Sequence, residues 1–418
     1  MNNNKVGYTL PAYLIFLMNI FGFGLLCMAN NFEKNILFVG LGLLGLLILT
    51  YTVLVLCRMG DKFLFLIASM LVTIGTIMLC RINIMYGAKQ IIWVGIGSLV
   101  FFAAYIIYYN IKFWNKLWFF YVAISLTLFV MTLVFGERVN GSKNWLQIGR
   151  LGFQPSELIK IAFVMLLACH YSGEFSKPIG NIHPRYLTAV FTYVFILFLV
   201  LQRDWGTILV IFLIYILILY VYENNKLYVY ENNKLFIFLN ILCVSVVAIL
   251  GYLFLYHIQV RVKVWLDPWN DISNTGYQIA QSLFAISSGG YFGKGIGNGS
   301  PLYIPEVHTD FIFSAICEEM GVFGGTAVII LFFILAYRCF KITLVTKNLY
   351  NKIVALGITL MFALQTFIII GGVTKFIPLT GITVPFVSYG GTSIVVSFIS
   401  LGIIQAISAR EDRGTDYE

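Results

Sequence analysis

Charged residues are scarce in this sequence. Asp, Glu, Lys and Arg make up 11% of its 418 residues, whereas 60% of the residues are hydrophobic and the mean hydropathy is +0.90. A typical soluble domain has about a quarter of its residues charged. The shortage excludes a soluble globular protein and indicates a chain that meets lipid along most of its length.

Long polar stretches are also missing, so no soluble domain is predicted. Apolar segments of about 20 residues, each long enough to cross a bilayer, recur along the whole chain. We therefore predict an all-α polytopic membrane protein that forms one integral membrane domain over residues 1–418. The twelve predicted spans cover roughly 11–29, 35–56, 62–80, 91–109, 117–135, 155–171, 186–201, 205–222, 236–257, 310–337, 350–372 and 388–409.

The cysteines show no paired spacing. The seven of them mostly lie in or at the ends of apolar segments, where they are interpreted as small core residues. This pattern excludes a disulfide scaffold and a cysteine-based metal site. A cleavable signal peptide is not predicted either, because residues 1–9 are polar and no small-residue cleavage site separates the first apolar segment from the next.

The net charge of +9 does not indicate nucleic-acid binding, because the basic residues are scattered in short loops between apolar segments. More of them fall on the side of the two termini, which the positive-inside rule places in the cytoplasm. The polar loops 136–154, 258–309 and 373–387 then lie outside, on the extracytoplasmic face of the membrane. We expect any chemistry at this face. The longest loop, 258–309, joins the ninth and tenth predicted spans.

An acidic residue, Asp310, stands at the mouth of the tenth predicted span. An acid in this position is costly to maintain unless it has a function. Glu306, His308 and Asp310 alternate along the chain, so an extended backbone would direct all three to one side. The alternative interpretation is that Asp310 only caps the following helix, because Asp is a favoured N-cap residue.

A charged pair lies inside the sixth predicted span. Glu157 and Lys160 are three residues apart and share a helix face, while Pro155 suits the first position of that helix. Lys160 could bind a phosphate that Glu157 helps to orient; alternatively, the two charges neutralise each other and only pack the bundle. In the preceding loop, Trp145 is either an interfacial anchor or a platform on which a sugar stacks.

Two further segments have backbones that are unlike regular helix. The glycines at 293, 295, 297 and 299 favour a flexible backbone whose N–H groups approach an anionic ligand, with a merely mobile loop as the alternative. The prolines and glycines of residues 371–393 indicate a backbone buried in protein or lining a wet cavity.

A tandem octapeptide at 220–227 and 228–235 is interpreted as a local insertion in an inner loop.

Several motifs, taken in order, resemble the SEDS family (shape, elongation, division and sporulation) of polytopic peptidoglycan glycosyltransferases. Family members often have ten helices, so the resemblance implies a ten-helix core plus an extra N-terminal pair. Residues 1–135 are assigned to the N-terminal helices and residues 136–409 to the SEDS-like catalytic core. Trp205 stands where a smaller aliphatic residue is expected. The matching segments are Asn144–Gly149, Phe153–Lys160, Asp204–Thr207, Gly276–Gln278, Gln281–Ser282, Ser288–Gly290, Pro305–Phe313, Glu318–Glu319, Pro378–Gly381 and Pro385–Gly391.

The resemblance implies polymerisation of lipid II into glycan strands. The 4-hydroxyl of one disaccharide attacks the anomeric carbon of another and displaces a prenyl pyrophosphate. Asp310 corresponds to the acid of the family's outer loop and is the candidate general base; Glu157 and Lys160 correspond to its other catalytic residues, and Lys160 would stabilise the leaving group. The candidate substrate-binding residues are Trp145, Arg150, Gln154, Ser156, Tyr277, Gln278, Gln281, Lys294, Glu306, His308, Ser388 and Thr392.

No nucleotide cofactor is expected, because the pyrophosphate-linked sugar is already activated. A Mg²⁺ or Mn²⁺ ion bound by Asp310, Glu306 and Glu157 is the metal hypothesis. The expected partners are lipid II, the nascent glycan strand, membrane lipid and, by resemblance, a class B penicillin-binding protein. Two other functions stay open: a lipid II flippase, which needs polar groups through the full membrane depth, and a non-enzymatic scaffold, which leaves Asp310 unexplained.

Overall fold

Helices form most of the structure. The computed structural model describes residues 8–30, 32–139, 141–149, 151–173, 184–223 and 233–415. Its α-helices are α1 (Thr9–Ala29), α2 (Lys34–Leu56), α3 (Lys62–Ile82), α4 (Ile84–Asn110), α5 (Trp118–Phe135), α6 (Pro155–Tyr171), α7 (Pro184–Gln202), α8 (Trp205–Glu223), α9 (Asn233–Phe254), α10 (Tyr256–Leu266), α11 (Tyr277–Gly289), α12 (Ile312–Val345), α13 (Leu349–Val373) and α14 (Gly391–Thr415).

Within the described residues, 11 helices are long and apolar enough to cross a membrane. Helix α6 is the twelfth, because its 17 residues reach the lower limit of about 17 residues for a span. The two remaining helices, α10 and α11, have 11 and 13 residues and lie in or next to the predicted outer loop 258–309. The prediction of an all-α polytopic membrane protein with about twelve spans is confirmed, and α1 and α2 precede ten further spans.

The loop 136–154 contains a small antiparallel sheet that the sequence analysis did not predict. Its strands are β1 (Glu137–Val139), β2 (Ser142–Ile148) and β3 (Leu151–Phe153), in the order β1-β2-β3. Trp145 is paired with Glu137, and Leu146 with Phe153. Strands of three to seven residues contain too few alternating positions to be distinguished from a loop by their pattern.

The helices pack into two compact units, and neither unit ends at residue 135, where the sequence analysis separated the N-terminal helices from the catalytic core. That division therefore stays a prediction about function. The first unit comprises Met1–Ile111, Gln281–Thr346 and Thr383–Glu418, and the second comprises Lys112–Ala280 and Lys347–Ile382.

In the first unit, α3 and α14 form the interior. In both α3 and α14, 89% of the membrane-spanning part is buried. The corresponding values are 39% for α1 and 33% for α2, and both of these helices pack beside α3. Helix α14 packs along α4, where Gly97 leaves room for the ring of Phe398; a Cβ atom on Gly97 would lie 2.5 Å from that ring. Small residues allow membrane helices to approach closely. The extra N-terminal pair is thus an outer layer of this unit.

In the second unit, α6 lies among α5, α8 and α13. Gly357 of α13 permits this packing, because a Cβ atom there would lie 2.4 Å from Cγ1 of Val164 in α6. Helix α9 is the most peripheral span, with 11% of it buried. The charged residues of α6 therefore lie in the interior of the unit.

Helix α12 is kinked at Gly321, whose φ of 70° and ψ of −171° are not helical. A side chain rarely tolerates this conformation, whereas glycine does. Glycine is also required for space, because a Cβ atom at this position would lie 2.3 Å from the carbonyl oxygen of Tyr291. The kink follows directly after the two buried glutamates Glu318 and Glu319.

Candidate active site

The predicted charged pair of α6 is present in the structure. Lys160 Nζ lies 2.8 Å from Glu157 Oε1. Lys160 is 0% exposed and Glu157 is 5% exposed, so both charges are removed from solvent. Burying two charges costs free energy that their attraction does not always repay. A lysine kept in this position within a membrane helix is therefore a strong candidate for a function.

An acid that the sequence analysis did not select, Asp204, lies beside the start of the same helix. Its Oδ2 accepts hydrogen bonds from Ser156 Oγ at 3.0 Å and from Gln154 Nε2 at 3.3 Å, and its Oδ1 accepts one from the backbone N–H of Thr207 at 3.2 Å. Ser156 and Gln154, both predicted substrate-binding residues, are therefore positioned by Asp204. The matching segment Asp204–Thr207 was the signal that could have identified this acid.

The unexpected Trp205 also has a defined role in the packing. Its Nε1 donates a hydrogen bond of 2.9 Å to Nε2 of His257, in α10. Burial lowers the pKa of His257 below its usual value, and the positive charges of Arg203 and Arg261 lower it further. The imidazole is therefore neutral and can accept the bond, so Trp205 links the start of α8 to α10.

The sheet between α5 and α6 holds Trp145, which is partly buried. Gly152 of β3 leaves room for its ring, because a Cβ atom there would lie 3.1 Å from Trp145 Cε3. Lys143 Nζ donates hydrogen bonds to the carbonyl groups of Leu133 and Val134 at the end of α5. Arg150, another predicted binding residue, lies outside the described residues.

The segment that carries Asp310 is not extended. Residues 305–310 form turns, and Glu306 has a φ of 54°. The predicted alternation of Glu306, His308 and Asp310 on one side is therefore wrong in its premise, because it required extended backbone. Asp310 is also not the N-cap of α12, since that position is occupied by Phe311. Asp310 is partly exposed and belongs to the first unit, whereas Glu157 and Lys160 belong to the second.

The loop before Asp310 is fixed by the segment that precedes α14. Ser388 Oγ donates a hydrogen bond of 2.6 Å to the carbonyl oxygen of Thr309, and the N–H of Tyr389 donates one of 2.9 Å to the carbonyl oxygen of His308. Ser388 is 1% exposed and also accepts a bond from the N–H of Val384. Its observed role is thus to position the loop, while its predicted contact with substrate stays a prediction.

His308 packs between two tyrosines. Its ring stacks on that of Tyr86 with centroids 4.5 Å apart and planes 3° from parallel, and lies 5.8 Å from that of Tyr389. Burial lowers the pKa of His308, and the nearby Glu306 only partly opposes this shift. The lowered pKa favours the neutral imidazole at neutral pH, and the predicted contact of His308 with substrate stays a prediction.

Two N–H groups of the glycine-rich segment before Asp310 that were expected to approach an anionic ligand already have partners. The N–H of Gly295 bonds to the carbonyl oxygen of Glu319, and that of Gly297 bonds to the Glu319 carboxylate. The ammonium of Lys294 lies 2.7 Å from Glu318 Oε1. The prediction that these two backbone N–H groups approach an anionic ligand is therefore wrong. The ammonium of Lys294 also has a carboxylate partner already.

The other predicted binding residues lie on α11 and at the start of α14. Tyr277, Gln278 and Gln281 are half-buried along α11, beside the buried Ile279. Thr392 is 5% exposed. Nothing in their surroundings assigns them a ligand, so their role stays a prediction.

A metal site was predicted at Asp310, Glu306 and Glu157. In the part of the chain that the structure describes, no three His, Cys, Asp or Glu side chains lie close enough to hold an ion. Asp310 and Glu306 belong to the first unit and Glu157 to the second, so this set stays a prediction. Magnesium commonly needs only one or two carboxylates and completes its shell with substrate phosphates and water, a role that Asp310 alone would fit.

Comparison with known proteins identifies relatives over most of the chain. Residues 46–413 match the family model of FtsW, RodA and SpoVE, described as cell cycle protein. The chain is 34% identical over 371 residues to stage V sporulation protein E of Bacillus subtilis, covering 83% of this chain and 96% of that protein. It is 32% identical to a probable peptidoglycan glycosyltransferase FtsW of a Geobacter species, over 68% of this chain and 77% of that one.

Solved structures share the fold. A chain from a study of polymerisation and crosslinking by a peptidoglycan synthase complex is similar with a TM-score of 0.70 and 26% identity, covering 84% of this chain and 98% of that chain. Rod shape determining protein RodA of Thermus thermophilus is similar with a TM-score of 0.60 and 24% identity, covering 84% and 96% of the two chains. The match to the family model begins within α2, so helix α1 precedes it. On these grounds the chain belongs to the FtsW, RodA and SpoVE family of membrane proteins.

Proposed function

We propose that the chain is a peptidoglycan glycosyltransferase that polymerises lipid II at the outer face of the bacterial cytoplasmic membrane. The observation that carries the proposal is the buried pair of Lys160 and Glu157 inside a membrane span. Two kinds of relative in the same family, RodA and FtsW, are named peptidoglycan glycosyltransferases.

The charged residues have different roles in the proposed reaction. Asp310 accepts the proton of the attacking 4-hydroxyl as the new glycosidic bond forms at the anomeric carbon. The bond from that carbon to the prenyl pyrophosphate breaks, and the leaving group keeps the electron pair. Lys160 stabilises the negative charge of the pyrophosphate, and Glu157 holds the ammonium in place. A divalent ion bound by Asp310 would supply further positive charge.

The purified chain in detergent tests this function against its main alternative. Detergent micelles have no second leaflet, so a flippase would leave lipid II unchanged, whereas a glycosyltransferase would form glycan polymer.

We further propose that a class B penicillin-binding protein is the partner, supported by the similarity to a chain of a peptidoglycan synthase complex. The assay is therefore run with and without such a protein, and lack of polymer in both cases would refute the proposal.

The orientation is tested by cysteine labelling. Single cysteines at Ser142, in β2, and Ser300, before Asp310, are expected to react with a membrane-impermeant maleimide in intact cells. The native Cys57, an exposed residue at the end of α2, is predicted to be cytoplasmic and serves as the control that reacts only after permeabilisation. Labelling of the two outer positions only after permeabilisation would reverse the orientation and contradict the mechanism.

The metal is tested by removal and return. If a divalent ion assists the leaving pyrophosphate, exhaustive chelation abolishes polymerisation, and Mg²⁺ or Mn²⁺ restores it. The measurement is the initial rate of lipid II consumption by the purified protein before and after dialysis against chelator. An undiminished rate after chelation would exclude a required ion and leave Asp310 as a base alone.

A further inference from the structure

Residues 293–300, the glycine-rich segment, dock onto the first turns of α12. The N–H groups of Lys294 and Gly295 each donate a hydrogen bond of 3.0 Å, to the carbonyl oxygens of Glu318 and Glu319. Gly293, Gly295 and Gly297 have φ values of 84°, 92° and 97°, a region that favours glycine. The segment is thus shaped to follow the surface of α12 at its kink.

The two glutamate side chains fix the same segment. Glu318 Oε1 accepts hydrogen bonds from Lys294 Nζ at 2.7 Å and from the N–H of Ser300 at 3.0 Å. Glu319 Oε2 accepts one of 3.1 Å from the N–H of Gly297. Both carboxylates are nearly buried, with exposures of 3% and 1%. They need cationic partners, because a buried charge without one is strongly unfavourable.

Arg81, at the end of α3, supplies the partner of Glu319. Its Nε lies 2.8 Å from Glu319 Oε1, and its Nη2 donates hydrogen bonds of 2.9 Å and 2.8 Å to the carbonyl oxygens of Gly297 and Gly299. One guanidinium therefore binds both the helix carboxylate and the backbone of the segment. The planar fork of arginine suits such divided binding, which a lysine ammonium cannot reproduce in full.

Helix α1 contacts the same point from another side. A Cβ atom on Gly297 would lie 2.6 Å from Cβ of Ala29, the last residue of α1. This helix precedes residue 46, where the family match begins. Helix α1 of the extra N-terminal pair therefore packs against the segment that Arg81 holds.

The segment leads directly into the loop that carries Asp310. Ser300 is fixed at one end by Glu318, and Thr309 is fixed at the other end by Ser388. Asp310 follows the second anchor and precedes α12. Residues 301–308 thus connect the anchored end of the glycine-rich segment to the position before Asp310.

We propose that Arg81 is a positioning residue for the proposed reaction, which it serves by holding residues 293–300 on Glu319 so that Asp310 keeps its place. This role rests on the proposed function, in which Asp310 takes the proton. A misplacement of about 1 Å is enough to reduce the rate of an enzyme by up to about a hundredfold. Arg81 is not a predicted substrate-binding residue, and Lys294 within the segment is already paired with Glu318, so we expect the effect on kcat and not on KM.

The test compares Arg81→Met, Arg81→Lys and the control Arg338→Met. Arg338 is the matched control because it also forms an ion pair within the first unit, with its Nη1 3.6 Å from Asp61 Oδ2. Its side chain is 22% exposed, compared with 16% for that of Arg81. Arg81→Met is expected to speed hydrogen exchange in the peptide covering 293–300 and to lower kcat for lipid II polymerisation by about tenfold, with KM within about twofold. Arg81→Lys should recover part of both effects, and Arg338→Met should change neither.

Three results would overturn the proposal: unchanged exchange in Arg81→Met, faster exchange with an unchanged kcat, or an equal loss of kcat in Arg338→Met. Failure of the proposed function is recognised separately, because the wild-type chain would then form no polymer. In that event the exchange data still decide whether Arg81 holds the segment, and its role in polymerisation is refuted together with the function.

Discussion

Replacement of Lys160 by Met is expected to abolish lipid II polymerisation, with a rate loss of at least about a hundredfold, the scale for removing one preorganised group that stabilises developing charge. Methionine retains most of the length of the side chain but has no charge for the leaving pyrophosphate. Lys160 is fully buried against Glu157, so bulk water does not replace the lost cation. The measurement is the initial rate of polymerisation by purified protein.

A double variant separates catalysis from packing. Lys160→Met alone leaves the Glu157 carboxylate buried without its partner, which costs about 3–5 kcal/mol when one member of such a pair is removed. Glu157→Gln combined with Lys160→Met removes both charges and should restore thermal stability in detergent without restoring activity. Recovery of activity together with stability, or full activity of Lys160→Met alone, would show that the pair only packs the bundle.

Replacement of Asp310 by Asn is expected to reduce polymerisation by about a hundredfold or more, the usual contribution of a positioned base. Asparagine has nearly the same size but cannot take the proton of the attacking hydroxyl. Asparagine also keeps a side-chain oxygen that accepts hydrogen bonds, so a purely structural role near the start of α12 would tolerate the change. Thermal stability in detergent should remain close to that of the wild type.

Asp267→Asn is the matched control for this substitution. Asp267 is an exposed acid of the predicted outer loop that precedes Asp310, and its Oδ1 accepts a hydrogen bond of 3.0 Å from the N–H of Trp269. The control variant should keep both stability and activity. Loss of activity in both variants would point to a general sensitivity of the outer loops and not to a base at residue 310.

The membrane helices could be predicted from the sequence because the length of an apolar run is a local property. The contact between Glu157 and Lys160 was also predictable, since residues three apart share a helix face. The ion pair of Arg81 with Glu319 joins positions 238 residues apart. No periodicity relates such positions, so this contact could only be recognised in the folded chain.

The predicted outer loops show why other features of the candidate site could not be predicted from the sequence. The predicted alternation in residues 305–310 assumed an extended strand, whereas Glu306 adopts a left-handed conformation and the segment turns. The glycines at 295 and 297 were interpreted as donors for a ligand, but their N–H groups bond to Glu319. In both cases, contacts with residues that are distant in the sequence determine the backbone conformation and determine which N–H groups are left to bind a ligand.

The most direct test of the central claim is the product formed from lipid II by the purified chain in detergent, compared with that formed by Asp310→Asn at equal thermal stability. We expect glycan strands of many disaccharides with the wild type, alone or with a class B penicillin-binding protein, and almost none with the variant. Polymer of equal length and yield from both proteins would contradict the assignment of Asp310, and unchanged lipid II with the wild type under both conditions would contradict the function itself.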